Sequence, residues 1–390
     1  MSFIPTPASL LQLATFAVPG FRPGVVSLLV NGMLYEGWVT VEVSRSVKEM
    51  AGQFTLKVSE RWSGGNGPAT LIGWRIRPGD ACTVLYSGLP VVTGYVDAYN
   101  PRYDAENHEV TIQGRSKTAD MVDSAAEPDV PNGELRKSKL KQAASRLTRP
   151  YGVTMKDQAP DAKRVFETMR VEPGETAHRF LERYARQDGV ALTDDTDGAL
   201  RLLQVQNGGP DAHLIEGVNI LEASATLRAD QRHSKYEGKG QRTGTDEKFG
   251  KRAAQVGADV ADEAVKRYRP FVLLNETAAD KEDARRRTGW EAAARAGESV
   301  RCEIKVIDWM SAPGRLWMPG MRAMVVSPML AIERVLAVES VKHEQSDDQG
   351  TITSLSLTPV EALNPKAGGG GAGGKSDGAW TATKPEQEPK

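Results

Sequence analysis

Two stretches of alternating apolar and polar residues, one near each end of the chain, share landmarks at a nearly constant separation. Pro78–Gly79 and Pro319–Gly320 lie 241 residues apart (319 − 78), and a valine follows each glycine after five residues. Further matches lie 242 residues apart (338 − 96): Val96–Asp97 with Val338–Glu339, the acidic turns 104–107 with 346–349, and Val110–Thr111 with Ile352–Thr353. A two-residue period marks half-buried strands. The sequence therefore predicts one β unit that occurs twice.

The first β region spans residues 24–125 and contains roughly six predicted strands. Asn31–Gly32 separates the first two, and this pair favours a tight hairpin because both positions tolerate positive φ. Val39, Val41 and Val43 alternate with polar residues in the next run. Short strands at this density are typical of a small antiparallel barrel or sandwich. We therefore predict a first β-barrel over residues 24–125.

Residues 130–207 have a mixed pattern that predicts a small α/β domain. Apolar residues recur at helical spacing from Leu135 to Leu147, and a second apolar stripe predicts a helix over 175–187. Gly189 follows that stripe and can take the left-handed conformation that ends many helices. Two apolar runs around a turn at Asp194–Gly198 then predict a hairpin.

The strand pattern returns in residues 208–238 and 298–363, which together predict a second barrel similar to the first. The segment between them, residues 239–297, is predicted to be a helical insertion. Thr277 is the expected N-cap of a helix that runs to about Ala296, with Gly297 beyond its end. The predicted fold class is α+β and multidomain, with two similar antiparallel β-barrels and inserted small α/β segments.

The two ends of the chain differ from the rest in composition. Residues 1–23 are predicted to form an extended arm, because they contain four prolines. These are Pro5, Pro7, Pro19 and Pro23. Residues 364–390 begin with a run of glycines, which predicts a flexible tail.

Composition excludes several classes of function. The chain has 50 basic and 51 acidic side chains, so its net charge of −1 gives no global reason to bind nucleic acid or an anionic membrane. No stretch reaches the ~20 apolar residues that span a bilayer, so we expect no stable membrane insertion. Cys82 and Cys302 lie far apart, which predicts buried, reduced thiols and no disulfide framework.

Residues that would carry chemistry are scattered. The five histidines show no close pair at metal-ligand spacing, no Gly-x-Ser-x-Gly elbow occurs, and the carboxylates are spread over turns and helix faces. We therefore predict that the chain is not an enzyme and has no catalytic residue, metal site or cofactor.

An ordered series of short motifs resembles the baseplate hub proteins of Mu-like contractile-tailed bacteriophages. The series covers most of residues 24–363 and consists of Trp38, Phe54–Ser59, Ile76–Asp80, Thr93–Asp97, Val110–Thr118, Arg267–Pro270, Trp290–Ala292 and Asp348–Thr353. Each piece is common, but their order is specific.

The resemblance implies an architectural function. Members of this family carry two tail-tube-like barrels per chain and form a homotrimer, which adapts the sixfold tail tube to the threefold central spike and surrounds part of an axial DNA channel. The implied partners are the spike, tail tube or tube-adaptor proteins, baseplate wedge proteins and the tape measure protein, while DNA passes without specific binding. The implied location is the virion tail baseplate, with the host cytoplasm during assembly. The family is related to the hub part of the valine-glycine repeat proteins of type VI secretion.

Tryptophans are the expected anchors of large interfaces or cores. The candidates here are Trp38, Trp74, Trp309 and Trp317. For each of them, burial in the core of the chain is the alternative to a place in an interface.

Three other functions remain open from sequence. A tail-associated peptidoglycan hydrolase would need paired carboxylates or a metal cluster in a cleft. A receptor- or carbohydrate-binding tail module would expose aromatic residues on loops. An ordinary tail-tube subunit would need one barrel, whereas this chain is predicted to have two.

Overall fold

The computed structural model describes residues 24–60, 76–104, 108–126, 133–241, 255–275 and 281–363. Within these ranges the chain forms 23 strands and five α-helices. It is therefore a mostly-sheet multidomain protein with few helices.

The N-terminal strands are all antiparallel to their neighbours and follow the order β3-β4-β7-β6-β5-β1-β2. Their bounds are β1 (Val26–Val30), β2 (Met33–Tyr35), β3 (Thr40–Ser46), β4 (Gln53–Glu60), β5 (Ala81–Tyr86), β6 (Leu89–Tyr103) and β7 (His108–Ser116). Asn31 and Gly32 form the predicted β1–β2 turn with φ values of 49° and 78°.

An α/β unit follows. Its elements are α1 (Ala119–Asp123), β8 (Glu134–Lys139), α2 (Leu140–Thr148), a 3₁₀ turn (Arg149–Tyr151), β9 (Met155–Gln158), β10 (Val165–Arg170), α3 (Ala177–Asp188), β11 (Ala191–Asp194) and β12 (Leu200–Leu203). β8 pairs with β10, and β12 lies between β11 and β9. The helices cover these sheets with fully buried side chains such as Leu147, Phe180 and Leu181.

The two helices of this unit compare differently with the sequence expectations. α3 has its N-cap at Thr176, whose side chain accepts a hydrogen bond from Arg179 N, and ends at Gly189 with a φ of 62°, as predicted. The first helix does not reach back to Leu135, because Lys139 is extended and its N–H donates to Gln142 Oε1 at 2.9 Å. Leu135 is buried from strand β8 instead.

The segment predicted as a helical insertion contains strands as well. β13 (Ala212–Ile215) and β14 (Glu222–Leu227) precede it, and its elements are β15 (Lys235–Gln241), β16 (Gln255–Ala261), β17 (Pro270–Asn275) and α4 (Lys281–Glu298). β15 is the central strand of this small sheet, and α4 packs against it. The predicted cap Thr277 lies outside the described residues.

The remaining elements complete the second β region. They are β18 (Val300–Ile307), β19 (Met310–Ala312), β20 (Arg315–Leu316), β21 (Arg322–Ser327), β22 (Ile332–Ser346), β23 (Gly350–Thr358) and α5 (Val360–Leu363). Thirteen strands from both β regions form one sheet of order β14-β18-β23-β22-β3-β4-β7-β6-β5-β1-β2, with β21 and then β13 attached to β22. Among the described strands this order is open, so the expected closed barrels are not found there.

The repeated landmarks take the same structure at both places. The amide of Gly79 donates to Val96 O at 2.7 Å, and the amide of Gly320 donates to Val338 O at 2.8 Å. β6 and β22 are both 15 residues long, and a register shift follows Val96 in one and Val338 in the other. The same local architecture therefore occurs twice.

The sequence match was wrong by one residue on the last strand of the repeat. Tyr99 pairs with Ile112, whereas the equivalent Val341 pairs with Leu355, so Ile112 corresponds to Leu355. Counted between equivalent ladder pairs, Tyr103 with His108 and Gln345 with Thr351, the second connection is one residue longer than the first. Because side chains alternate between faces, a one-residue error would exchange the buried and exposed sets.

Gly297 lies inside α4, not beyond its end as predicted. A β-carbon on this glycine would lie 2.0 Å from Ala362 Cβ of α5, so only glycine permits the two helices to pack this closely. Gly289 lies about two helical turns upstream on the same helix. A β-carbon added there would meet nothing within 4 Å.

We expect Gly297→Ala to destabilise the fold by roughly 1–3 kcal/mol, because the added methyl group displaces α5. The matched control Gly289→Ala should stabilise the protein by about 0.5–1 kcal/mol, since alanine favours the helix and meets no neighbour. Urea unfolding of both variants measures the difference. Equal stabilities for the two variants would contradict the packing role of Gly297.

Candidate assembly interface

The two β regions of the chain are joined by a strand pair. Residues Ser340–Ser346 of β22 pair antiparallel with residues Thr40–Ser46 of β3 in seven consecutive residue pairs. This ladder, called the seam below, converts two smaller sets of strands into one sheet. It is the direct physical link between residues near the start and the end of the described chain.

Trp309 crosses from the second β region into the core of the first. Its side chain is fully buried among first-region residues, and its ring stacks on that of Tyr86 with a centroid distance of 4.7 Å. Its indole N–H donates to Glu344 O on β22 at 3.0 Å. The apolar ring and its one polar atom are thus both satisfied at the seam.

Asp308 receives several hydrogen bonds beside this ring. Tyr86 Oη donates to Asp308 Oδ1 at 2.5 Å, and the backbone N–H of Trp309 donates to the same oxygen at 2.5 Å. Burial, and then the bond to this carboxylate, raise the pKa of Tyr86 well above its ordinary value. The phenol therefore stays protonated and acts as a donor between the two β regions.

His343 completes the cluster from the other side of Trp309. Its ring stacks on Trp309 at 5.0 Å, Nε2 lies 3.2 Å from Trp317 O, and Nδ1 lies 2.9 Å from Thr353 Oγ1. Burial, and then the positive charge of Arg45, lower the pKa of His343 to about 3. The ring is therefore neutral, and a proton on Nε2 allows Nε2 to donate to the Trp317 carbonyl. The single hydroxyl proton of Thr353 has two acceptors within reach, Nδ1 of His343 and the Asp308 carbonyl oxygen at 2.7 Å.

Arg45 connects three parts of the molecule. Arg45 and Asp194 are 3% and 1% exposed, and Nε of Arg45 lies 3.2 Å from both carboxylate oxygens of Asp194 in the α/β unit. Another guanidinium nitrogen lies 3.6 Å from Met318 Sδ of the second β region. Removing one member of such a buried pair leaves an uncompensated charge, so the pair constrains how the three parts meet.

The structure places the predicted anchor tryptophans in different environments. Trp309 belongs to the first core at the seam, and Trp317 belongs to the second core with 4% exposure. Trp38 is half-buried and packs against the first core from outside. Trp74 lies outside the described residues. A role in an interface between chains stays a prediction for these tryptophans.

The cluster around Trp309 is not visible in the sequence. Tyr86 ends β5, Asp308 follows β18 and His343 lies in β22, so the three residues are distant in the chain. The sequence shows His343 only as one of five scattered histidines. No local spacing links a tyrosine to an aspartate 222 residues away.

Two strand edges of the large sheet, that of β14 and that of the second half of β6, are similar in position to the edges of β3 and β22 that pair in the seam. β14 pairs with β18 on one side and is a terminal strand of the described sheet order. β6 pairs with β5 only as far as Tyr95, and from Ala98 onward its described strand partner is β7 alone. Strand edges of this kind are templates for pairing with another chain.

The described residues offer little for chemistry. They hold no group of three or more His, Cys, Asp or Glu side chains placed to bind a metal ion. Both thiols are buried, and burial raises the pKa of Cys82 to about 12 and that of Cys302 to about 11. None of the described helices is long and apolar enough to cross a bilayer.

Comparison with known proteins identifies the class. Family models match three segments: Mu phage baseplate assembly protein GpP-like, N-terminal, over residues 25–116; baseplate hub protein gp44-like, second domain, over 118–204; and Mu phage baseplate assembly protein GpP, fourth domain, over 280–366. The fold and the matches together define a structural protein of a phage tail baseplate.

Individual relatives agree. The chain is 30% identical over 345 residues to baseplate hub protein gp44 of Escherichia phage Mu, covering 87% of this chain and 88% of that protein. The chain belongs to the family of Mu-like baseplate hub proteins, and its role is that of a structural baseplate hub. Because the matched proteins are structural, the prediction that the chain is not an enzyme is confirmed.

Solved structures extend the likeness. The 43 kDa tail protein of prophage MuSo2 from Shewanella oneidensis has a TM-score of 0.75 and 30% identity, and the match covers 87% of this chain and 99% of that chain. An E. coli component of the type VI secretion system shares the fold alone, with a TM-score of 0.52, 10% identity and coverage of 85% and 76%.

Trp309→Ala should reduce the free energy of unfolding by about 3–5 kcal/mol, since it removes a fully buried ring from the junction of two β regions. Trp309→Phe keeps the stacking surface and loses the N–H bond to Glu344, so its cost should be about 1–2 kcal/mol. Chemical unfolding measures both variants. A small, equal effect of the two substitutions would show that the seam does not depend on this ring.

His343 should make the protein less stable in mild acid. An unfolded histidine binds its proton near pH 6.5, whereas folded His343 does so only near about 3. The free energy of unfolding therefore keeps the full contribution of His343 above the unfolded pKa. This contribution is lost as the pH falls from the unfolded pKa towards the folded pKa. Urea unfolding at about pH 7 and about pH 5 should show a larger loss for the wild type than for His343→Gln. Parallel losses in the two proteins would contradict a buried neutral histidine.

Proposed function

We propose that the chain forms a homotrimeric ring in which the large sheet continues from each protomer to the next. Each chain would contribute two similar tail-tube-like β domains, so the trimer would present six of them around an axial channel. Such a ring adapts a sixfold tail tube to a threefold central spike, because closed cyclic assembly repeats one interface around the axis. The observation that carries this proposal is the seam.

The strand equivalence defines what the contact between protomers would be. β22 of the second β region corresponds to β6 of the first, since both are 15 residues long and carry a register shift at the same place. β4 and β18 are equivalent strands in the two regions. β3 pairs with β4 and β14 pairs with β18, so β3 corresponds to β14. The seam pairs β22 with β3 inside one chain. The equivalent contact pairs β6 of one protomer with β14 of its neighbour.

The register of this contact follows from the ladders of the chain. Val41 leads to Ile112 through the β3–β4 and β4–β7 pairs, and Ala223 leads to Leu355 through the β14–β18 and β18–β23 pairs. Because Ile112 corresponds to Leu355, Val41 corresponds to Ala223. On the partner strands, Val341 corresponds to Tyr99. Transferring the seam register places Asn100 opposite Thr226, as Lys342 lies opposite Ser44. Arg102 then lies opposite Ser224.

Charge complementarity supports this register. In the seam, Lys342 reaches diagonally to Glu42, with an Nζ–Oε2 distance of 3.0 Å. The same diagonal in the proposed contact joins Arg102 of one protomer to Glu222 of its neighbour. Opposite charges on neighbouring strands stabilise a pair, whereas like charges oppose it.

Pro101 fits a strand edge that accepts one specific partner. Proline has no N–H, so it removes one ladder bond and discourages indiscriminate pairing at an exposed edge. The remaining residues of β6 still supply donors and acceptors to a matched strand.

The other partners follow from the family to which the chain belongs. We infer contacts with the central spike, with tail tube or tube-adaptor proteins, with baseplate wedge proteins and with the tape measure protein, after assembly in the host cytoplasm. Trp38, which is half-buried, is the described candidate anchor with surface left for such a contact. Residues 1–23 and 364–390, proposed as an arm and a tail, supply further contact segments.

A disulfide can test the contact between protomers. Opposite residues in an antiparallel pair have Cα atoms about 4.5–5.5 Å apart, within disulfide range. Oxidised Asn100→Cys/Thr226→Cys protein should therefore give covalent dimers and trimers and nothing larger. Background should be low because Cys82 and Cys302 are buried.

Three controls make the test specific. Each single variant should yield no closed trimer, and Asn100→Cys/Ser224→Cys should react poorly because its diagonal residues lie about 7–8 Å apart. Light scattering should give a trimer mass for the wild type, and the trimer should capture a trimeric spike. A monomer at all concentrations, or covalent species larger than a trimer, would contradict a closed ring.

A further inference from the structure

A hollow of about 290 Å³ lies where the second β region meets the small sheet of β15, β16 and β17. Leu227, the last residue of β14, and Val300, the first residue of β18, line it, together with residues 264–267 of the loop between β16 and β17. A hollow of this size admits a few side chains and is small for a cofactor. It lies at the end of the strand that is proposed to pair with a neighbouring protomer.

Cations outnumber carboxylates at this site, which is called the basic hollow below. Its lining includes Arg228, Arg232, Lys266 and Arg267. Arg228 pairs with Asp230 at 2.9 Å and Arg232 pairs with Asp262 at 2.8 Å, whereas Lys266 and Arg267 are exposed. Glu263 belongs to the same loop but does not line the hollow. The excess of positive charge favours an anionic occupant.

The equivalent place in the first β region is covered by a short helix. In the register given above, Val47, just beyond β3, corresponds to Ala229 in the lining of the basic hollow. Val47 is buried and packs with Val360 and Leu363 of α5, the helix that follows β23. A helix of the second β region therefore covers the end of a strand of the first.

The counterpart of α5 in the first β region is α1. It follows β7 as α5 follows β23, and Ile112 of β7 corresponds to Leu355 of β23. In the proposed trimer, β6 of one protomer pairs with β14 of its neighbour. The same equivalence that gives this pairing brings α1 of the first protomer to the end of the neighbour's β14, where the basic hollow lies.

The surface at α1 is acidic. Asp120 and Asp123 of α1 are exposed, and Arg115 holds Asp123 together with Asp97 of β6 at distances of 2.7 Å. Asp97, Asp120 and Asp123, called the acidic surface below, thus outnumber the one guanidinium among them. The charge of this surface is opposite to that of the basic hollow.

The seam contains an ion pair at the corresponding place. Glu339 lies at the register shift of β22, as Asp97 lies at that of β6, and it pairs with Lys48 just beyond β3. Asp230 occupies the position of Lys48, but Arg228 binds it and supplies a cation beside it. An acidic residue at the shift and a cation beyond the partner strand therefore occur on both sides of the comparison.

We propose that the basic hollow of one protomer receives the acidic surface of its neighbour. This inference rests on the proposed trimer and adds a second patch to the contact between β6 and β14. The occupant of the hollow is thus a second copy of this chain. Charged contacts at the rim of an interface steer association and fix its register, which backbone ladder bonds alone do not specify.

Exchange of charge across the contact tests this assignment. Lys266→Glu/Arg267→Glu should raise the concentration of half-assembly at least about tenfold at low salt, because it places like charges together. Asp120→Lys/Asp123→Lys should do the same, and the four substitutions combined should restore assembly. Sedimentation over a dilution series measures each variant. The matched control Arg146→Glu/Lys163→Glu reverses two exposed cations of the α/β unit and should assemble like the wild type.

A chemical cross-link tests the contact directly. Lys266 is the one lysine among the described residues that line the hollow. A carbodiimide, which joins an amine to a carboxylate without a spacer, should link Lys266 to Asp120 or Asp123 in covalent dimers and trimers. Mass spectrometry of the digested bands identifies the linked peptides.

Two results would overturn the assignment of the hollow: assembly of either charge-reversed variant as tight as that of the control variant, or trimers without the Lys266 link. The Asn100→Cys/Thr226→Cys disulfide reports the strand contact independently. A disulfide trimer without the Lys266 link would overturn the hollow assignment alone, whereas failure of the disulfide trimer to form would overturn the ring itself.

Discussion

The antiparallel pairing of β3 with β22 is the constraint on which the rest of the molecule depends. Without it, the chain would hold two separate groups of strands, each with an exposed edge that invites unwanted pairing. The seam covers one edge of each group, and Trp309 fixes the join by placing a fully buried ring from one region into the core of the other. Because strand register is exact to the residue, this pairing also determines which side chains of β3 and β22 face the two apolar cores.

Polar groups buried beside the seam add specificity to this apolar contact. Hydrophobic packing alone tolerates small displacements, whereas Asp308, Tyr86 and His343 must keep their hydrogen-bond partners because unpaired polar groups are costly in a core. The pair of Arg45 and Asp194 imposes a similar requirement on the α/β unit. The exposed ion pairs between neighbouring strands, such as Lys57 with Glu109 and Lys305 with Glu222, differ in kind, since solvent screens them and each contributes little to stability.

Sequence patterns revealed the repeat, the α/β unit and the hairpin turn at Asn31–Gly32, because alternation, helical spacing and turn residues are local signals. They failed where tertiary contacts decide. Leu135 belongs to the apolar series predicted as a helix yet lies in a strand, and Gly297 has the pattern of a helix stop although its function is close packing against Ala362. The partner of β3 could not be predicted from sequence at all, since nothing in an alternating pattern states which distant strand supplies the other half of a ladder. The cluster around Trp309 was missed for the same reason.

The distance along the chain between the two halves of the seam has a consequence for how the protein is made. Thr40 pairs with Ser346, so most of the polypeptide must be synthesised before the ladder can form. Contacts of such long sequence separation are slow to form because the intervening chain must lose entropy first. During translation the first β region waits with one strand edge uncovered, while the α/β unit between the two regions contains local contacts and can fold early. The order of folding should therefore run from the middle of the chain outward, with β3 among the last strands to gain its second partner.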